Sequence, residues 1–298
     1  MIYGSLVCTP LLHRNKIFDP EQELNSDGLF DFMVMIRERL LEKGIELNTE
    51  DLKKPSSFEI YLEGRRINRN SLPKYLIALE SPLIDRFNGD KVYWSLFNKV
   101  FSWIDGSIMF PSRTKFLGTE KKDIFSVMIS GNKSGQELYE ERKKVIDFYG
   151  KSNLFRLYGR GWETGYGEIE NKSEILKRAR FSWCYENSRQ KNYITEKIFD
   201  CFTSGCVPIY YGAPNISDFV PNNCFIDRSK FKSTDEVHEF LMSLPDTDEY
   251  LSNIKDFLPT AGIFSHEHCA ETIVNFIGEI HDCQRERNSQ IKSPEWET

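Results

Sequence analysis

Between Asp123 and Asp227 the chain alternates short apolar runs with amphipathic ones, and this alternation limits the available folds more than any other feature. DIFSVMIS, LFRLYG, FSWCYEN, VPIYYG and CFID read as strands. GQELYEERKKVIDFYG, closed by Gly150, KSEILKRAR and YITEKIFDCFTSG read as helices between them. Strands separated by helices in this way form a parallel sheet covered on both faces.

The first third repeats the scheme less regularly. SLVC reads as a short strand, and Asp27 to Gly44 as a helix with Leu29, Met33, Ile36 and Leu40 on one stripe. Phe58 to Leu62 reads as a strand, and KYLIALESP as a buried strand ending at Glu80 and stopped by Pro82. The aromatic-rich stretch VYWSLFNKVFSWIDGSIMFPS follows, and its pattern resolves neither strand nor helix. Thr234 to Cys283 is mainly helical, and Glu286 to Thr298 is expected to fray. Two alternating series predict an α/β chain of two Rossmann-like domains facing across a cleft. The domains span 1–118 and 119–298, with the helical C-terminal region assigned to the second. The cleft between them is the expected ligand site.

Bulk properties remove several classes. At 298 residues, 40% hydrophobic, the chain can bury two cores. A formal charge of -6 without a basic run argues against nucleic acid as a partner. Seven cysteines, with no CxxC pair, read as buried free thiols in a reducing compartment. No basic leader and no apolar run of membrane length is evident, so the expected location is cytoplasmic. The alternative is a Golgi-lumen protein whose anchor lies outside this sequence. The three Asn-x-Ser/Thr triplets carry no weight without a secretory signal.

The candidate chemistry lies in CYENSRQKNYITEKIFDCFTSGCVPIYYG, Cys184 to Gly212. Asn192 or Thr195 can cap a helix that places Glu196 and Lys197 in its first turn. There the free N–H groups and the helix dipole favour phosphate. Lys197 adds a charge, the oxygens of Glu196 can accept both hydroxyls of a ribose, and Tyr193 adds a ring and a hydroxyl. Glu186, Asn187 and Ser188 directly follow a strand, where open α/β sheets carry their binding loops. Taken alone, TEK reads as an ordinary helix start, and only its context, a binding loop directly after a buried strand, turns the reading toward a ligand. Arg142 suits bidentate phosphate binding, but taken alone it reads as one of several surface basics beside Lys143 and Lys144. Glu80, at a strand end, is either a base at the lip of the cleft or a partly exposed acid capping the next turn. The acidic triplet Asp246-Thr247-Asp248 reads as a helix cap rather than a metal site, and the histidines do not share a face. No metal ligands are expected.

YENS, YITEK, GCVPIYYG, PNNCFID and SKF stand in the order and spacing of glycosyltransferase family 10, the α-1,3/4-fucosyltransferases, which the chain resembles from about Tyr75 to Phe231. ALESP resembles the segment that bears the family's catalytic glutamate. Where the family carries Asn after the serine of its first second-domain strand, this chain has Gly131, with Asn132 one place later. The resemblance implies a GT-B fold and inverting transfer of L-fucose from GDP-fucose to a glycan, on the 3-hydroxyl of GlcNAc. Glu80 would be the base, Arg142 and Lys197 would neutralise the diphosphate, and Glu196 would hold the ribose. Tyr193, Asn187 and Glu186 would complete the donor site. No cofactor is implied, a divalent ion being at most stimulatory. The implied partners are GDP-fucose and an oligosaccharide or glycoconjugate acceptor, such as a lipopolysaccharide or protein glycan. The alternatives are the same fold with another GDP-sugar, or a non-catalytic binder of glycan or nucleotide.

Overall fold

A computed structural model of the protein describes residues 1–291. The first domain builds a five-stranded sheet from β1 (Ile2–Val7), β2 (Ile45–Thr49), β3 (Phe58–Leu62), β4 (Lys74–Ala78) and β5 (Lys99–Ser102). The second builds another from β6 (Ile124–Ile129), β7 (Phe155–Tyr158), β8 (Ala179–Tyr185), β9 (Val207–Tyr211) and β10 (Ile226–Asp227). The spatial orders are β2-β1-β3-β4-β5 and β10-β9-β8-β6-β7, and every pairing is parallel. Counted within each domain, both sheets have the same order, second-first-third-fourth-fifth. Its switch point lies between the first and third strands.

Among the described residues eight α-helices accompany the sheets: α1 (Asp31–Glu42), α2 (Lys91–Trp94), α3 (Tyr139–Tyr149), α4 (Lys172–Arg178), α5 (Glu196–Thr203), α6 (Thr234–Ser243), α7 (Asp248–Phe257) and α8 (His266–Ile291). Alternation along the strands sends side chains to both faces. Leu6, Ile60 and Ile77 pack under α1 and α8, while Val7, Tyr61 and Leu76 pack with Tyr93 and Trp94 on the other face. In the second domain, Val127 and Tyr210 meet α4, α5 and α7. Met128, Trp183 and Ile209 meet α3 and α6.

Three expectations are corrected. First, α8 belongs to the first core: Cys269, Ala270, Ile273, Val274 and Ile277 pack with Phe32, Met33, Ile36 and Leu40 of α1. A boundary at 118 therefore describes only the first crossing. The chain returns beside that crossing, where Ser112 N–H donates to Phe264 O at 2.7 Å and Ser112 pairs with Ser265. Second, α1 starts at Asp31 rather than Asp27, because Asp27 and Gly28 adopt φ of 60° and 72°, outside the helical region. Third, β4 ends at Ala78. The N–H groups of Leu79 and Glu80 turn away from the sheet to the Glu63 carboxylate. Of the tail expected to fray, 286–291 continues α8 and 292–298 lies outside the described residues. Among the described residues no helix is long and apolar enough to cross a membrane.

Candidate active site

The C-terminal ends of the two parallel sheets face each other across a cleft of about 940 Å³. Its walls include Thr9, Glu63, Arg65 and Glu80, which follow β1, β3 and β4, and Ser130, Gly131 and Asn187, which follow β6 and β8. Both switch points thus open into one cavity, the position where open α/β sheets bind ligands.

Thr195 is the cap of α5, accepting from Lys197 N–H at 3.5 Å. Asn192, the other candidate cap, instead takes a left-handed turn (φ 66°). It exchanges hydrogen bonds with Asn215 at 2.8 and 2.9 Å. The turn and the cap set Glu196 and Lys197 on the cleft side of the helix start, and both line the cavity. Lys197 Nζ lies 3.3 Å from Glu186 Oε2 and 3.8 Å from Glu196 Oε1. Burial alone would lower its pKa, but Glu196, Glu186 and Glu80 outweigh that and raise it. Glu196 shows the converse. Burial would raise its carboxyl, but Lys197 and Lys172 hold it below the ordinary carboxylate range. The pair therefore offers the cleft one fixed positive and one fixed negative charge.

Glu186 lies behind the cavity wall rather than in it. Fully buried, it accepts Thr195 N–H at 2.8 Å and Thr195 Oγ1–H at 2.7 Å. Its carboxylate braces the turn into α5 and neutralises Lys197 from beneath. Gly212 is required at this point, because a Cβ there would collide with Glu186 Cγ and Tyr210 Oη. Arg142 lines the cavity but is 1% exposed. Its guanidinium donates to the carbonyls of Tyr185 and Glu186 at 2.9 and 2.7 Å, and to Gln136. Its Nε, also buried, has no protein partner. Much of its donor capacity thus holds the end of β8, and this burial lowers its pKa.

Glu80 stands on the opposite wall. Its Oε1 accepts Tyr193 Oη–H at 2.6 Å and its neighbour Ser81 N–H at 2.8 Å. Among the described residues Oε2 accepts only from the Asn187 amide, at 3.5 Å, and the same amide lies 3.4 Å from Oε1. The Tyr193 ring packs on Trp103 with centroids 4.9 Å apart, and Trp103 Nε1–H donates to Leu79 O at 2.7 Å. Ser188 Oγ bonds Ser81 Oγ at 2.9 Å, a further tie between the domains.

The structure thus gathers Glu80, Arg142, Asn187, Tyr193, Glu196 and Lys197 around one cavity and sets Glu186 behind it. Sequence reasoning passed over three residues. Lys172 opens α4 and binds Asp200 at 3.0 Å and Glu196 at 4.0 Å. Asn171 just before it is a visible cap, but nothing local marks Lys172 as facing another helix. Trp103 sits in the stretch whose pattern was unresolved. Glu63, at the end of β3, was legible only as an acid ending an apolar strand, the same signal that singled out Glu80. The triplet at Asp246 is a helix start: Asp248 N–H donates to Asp246 Oδ1 at 3.0 Å and α7 begins there.

Comparison with known proteins bears on the family and the fold. The family model described as glycosyltransferase family 10 (fucosyltransferase) C-term matches residues 119–284, more than half the chain. Over 81 residues the chain is 38% identical to α-(1,3)-fucosyltransferase FucT of Helicobacter pylori, which is 27% of this chain and 16% of that protein. Over 71 residues it is 45% identical to α-(1,4)-fucosyltransferase of Arabidopsis thaliana, 24% of this chain and 18% of that protein. The matched stretches thus span under a fifth of these curated relatives. A solved α1,3-fucosyltransferase with GDP superposes with a TM-score of 0.52 at 15% identity, covering 93% of this chain and 91% of that one. The architecture is GT-B.

Proposed function

The chain belongs to glycosyltransferase family 10, and from that premise we propose that it transfers L-fucose from GDP-β-L-fucose to a glycan hydroxyl, the 3-hydroxyl of GlcNAc, with inversion. The observation that carries this reading is the shared cavity. The α5 start, with Glu196 and Lys197, and the carboxylate of Glu80 line one cleft from opposite domains. Names of the relatives supply the sugar: the Helicobacter pylori protein is called an α-(1,3)-fucosyltransferase.

In this mechanism the diphosphate sits over the α5 N-terminus beside Lys197, where backbone N–H groups and the ammonium neutralise it. Arg142, held at the cavity wall, adds a fixed positive charge nearby. Glu196 accepts the ribose hydroxyls. Glu80 Oε2 takes the proton of the acceptor hydroxyl, whose oxygen attacks the anomeric carbon as the bond to the β-phosphate oxygen breaks. GDP leaves on the opposite face, so the configuration inverts in one displacement, as it does with the base of an inverting glycosidase. Tyr193 and Asn187 hold the Glu80 carboxylate in position. The cationic work is assigned to protein side chains and N–H groups, so no metal step is invoked.

The test is GDP release from GDP-fucose and from GDP-mannose, with N-acetyllactosamine as acceptor, for wild type and Glu80→Gln. The expected result is acceptor-dependent release from GDP-fucose alone, lost in the variant while GDP still binds. Binding of GDP-fucose without turnover would instead identify a nucleotide-sugar binder. Turnover with GDP-mannose would move the enzyme to another donor.

A further inference from the structure

Glu63 is an acid that the proposed mechanism leaves unused, although it lines the same cavity as Glu80. It follows β3 with φ of 63°, a left-handed conformation that L-residues rarely adopt. Its Oε2 accepts the N–H groups of Leu79 and Glu80, each at 3.2 Å, and Oε1 accepts Glu80 N–H at 3.3 Å. The fully buried Asn88 donates its amide both to Glu63 Oε2 and, at 3.0 Å, to Glu80 O. Asn88 is itself held, its Oδ1 accepting Gly64 N–H at 2.9 Å and its carbonyl accepting Trp94 Nε1–H at 3.0 Å. Both peptide groups of Glu80 are therefore clamped, the N–H by Glu63 and the carbonyl by Asn88.

These bonds also explain why β4 stops where it does. Two consecutive N–H groups leave the sheet direction to reach one carboxylate, and the departure swings the Glu80 side chain toward Tyr193. A carboxylate accepts several donors on two oxygens, whereas an amide has one acceptor oxygen and would set its own N–H against another donor. The site thus calls for a carboxyl group at 63, and a glutamine there would turn an N–H toward one of these donors.

We propose that Glu63 is the positioning residue of Glu80, fixing through main-chain hydrogen bonds where the base carboxylate meets the acceptor hydroxyl. The inference rests on Glu80 being the base. Positioning errors well below a bond length already slow a reaction whose rate depends on a near-attack geometry. Removing this clamp should therefore lower turnover without touching the donor contacts, which lie on the other domain.

The experiment compares wild type, Glu63→Gln and Glu80→Gln by kcat and KM for GDP-fucose with N-acetyllactosamine, and by GDP binding stoichiometry and Kd. For Glu63→Gln the expected result is full stoichiometry, a GDP Kd within about twofold of wild type, and a kcat reduced about tenfold or more. If Glu63→Gln does not fold, Glu63→Asp, which keeps the charge but shortens the reach, is read the same way. An unchanged kcat overturns the proposal. So does a kcat that falls only in proportion to GDP-binding stoichiometry, since that marks a purely structural role. If wild type itself fails to turn over GDP-fucose, the functional assignment falls first, and the role of Glu63 as a clamp on a base falls with it.

Discussion

Tyr193 and Glu80 come from different domains and are 113 residues apart, yet Tyr193 Oη–H donates to Glu80 Oε1 at 2.6 Å. A hydrogen bond to a carboxylate at that length is charge-assisted. It raises the pKa of the Tyr193 hydroxyl, after the larger effect of burial, so the phenol stays protonated and remains a donor. The tyrosine thereby ties the donor loop of one domain to the candidate base of the other, and Glu80 lines the cleft.

Tyr193→Phe keeps the ring on Trp103 and removes only that hydroxyl. Loss of a hydrogen bond to a charged group should cost about 1.5–3 kcal/mol of stability. Turnover should fall roughly 10- to 100-fold through misplacement of the base, with GDP affinity retained. Urea unfolding, GDP release and calorimetric GDP binding check the three parts, and wild-type turnover in the variant would remove Tyr193 from the catalytic arrangement.

Lys197→Met should weaken GDP binding and also leave Glu186 buried without a cation, held by Thr195 and the Tyr210 hydroxyl. Breaking a buried pair in this way should cost about 3 kcal/mol, the low end of the usual range, because part of the Lys197 side chain faces the cleft. Pairing the change with Glu186→Gln should recover much of the stability and none of the GDP affinity. A double variant that binds GDP like wild type would show that Lys197 serves the fold alone.

Glu196 is assigned to the ribose, so its contribution should depend on the sugar hydroxyls. Wild type should prefer GDP to 2′-deoxy-GDP by about tenfold, the value of one hydrogen bond to a charged group. Glu196→Gln should lose most of that preference. Equal discrimination by both proteins, measured by titration calorimetry, would place the ribose elsewhere.

Burial lifts the Glu63 carboxyl from its ordinary 4.5 to about 7, against the hydrogen bonds from Asn88, Glu80 and Leu79. The folded state then holds the proton more tightly than the unfolded chain. This contribution to stability is complete below about pH 4.5 and is lost as pH rises through about 7. Between those limits the melting temperature of wild type should fall more steeply than that of Glu63→Gln, which has no proton to lose at that position. Parallel curves would mean that Glu63 titrates normally.

Several features were legible in local sequence. The strand-helix alternation from Asp123 to Asp227 foretold the second sheet, because buried parallel strands are uniformly apolar and their covering helices are amphipathic. The cap in YITEK was visible, as one of two candidates, because a helix N-cap calls for a short polar side chain, whereas the need for Gly212 comes from the side chains of Glu186 and Tyr210 packed against it. The motif residues Glu196 and Lys197 were legible because helix starts carry local signals. The strand β2, IELNT, was missed because a five-residue strand with alternating polar positions scarcely differs from the loops beside it.

What tertiary structure alone decided is which distant segments meet. Local pattern marks α8 as a helix. Its return to the first domain depends on the apolar face formed by Cys269, Ile273 and Ile277 fitting beside α1. The sequence marks Glu63, Glu80 and Glu186 alike as acids ending apolar strands, yet the fold gives them three fates. One clamps main-chain N–H groups, one faces the cleft, and one is buried beneath a lysine. The sequence by itself determined the strands, the helix caps and the residue types available, because those follow from backbone sterics and hydrophobic period. The environment of each carboxylate was left to the assembled molecule, because desolvation and hydrogen-bond partners come from residues remote in the chain.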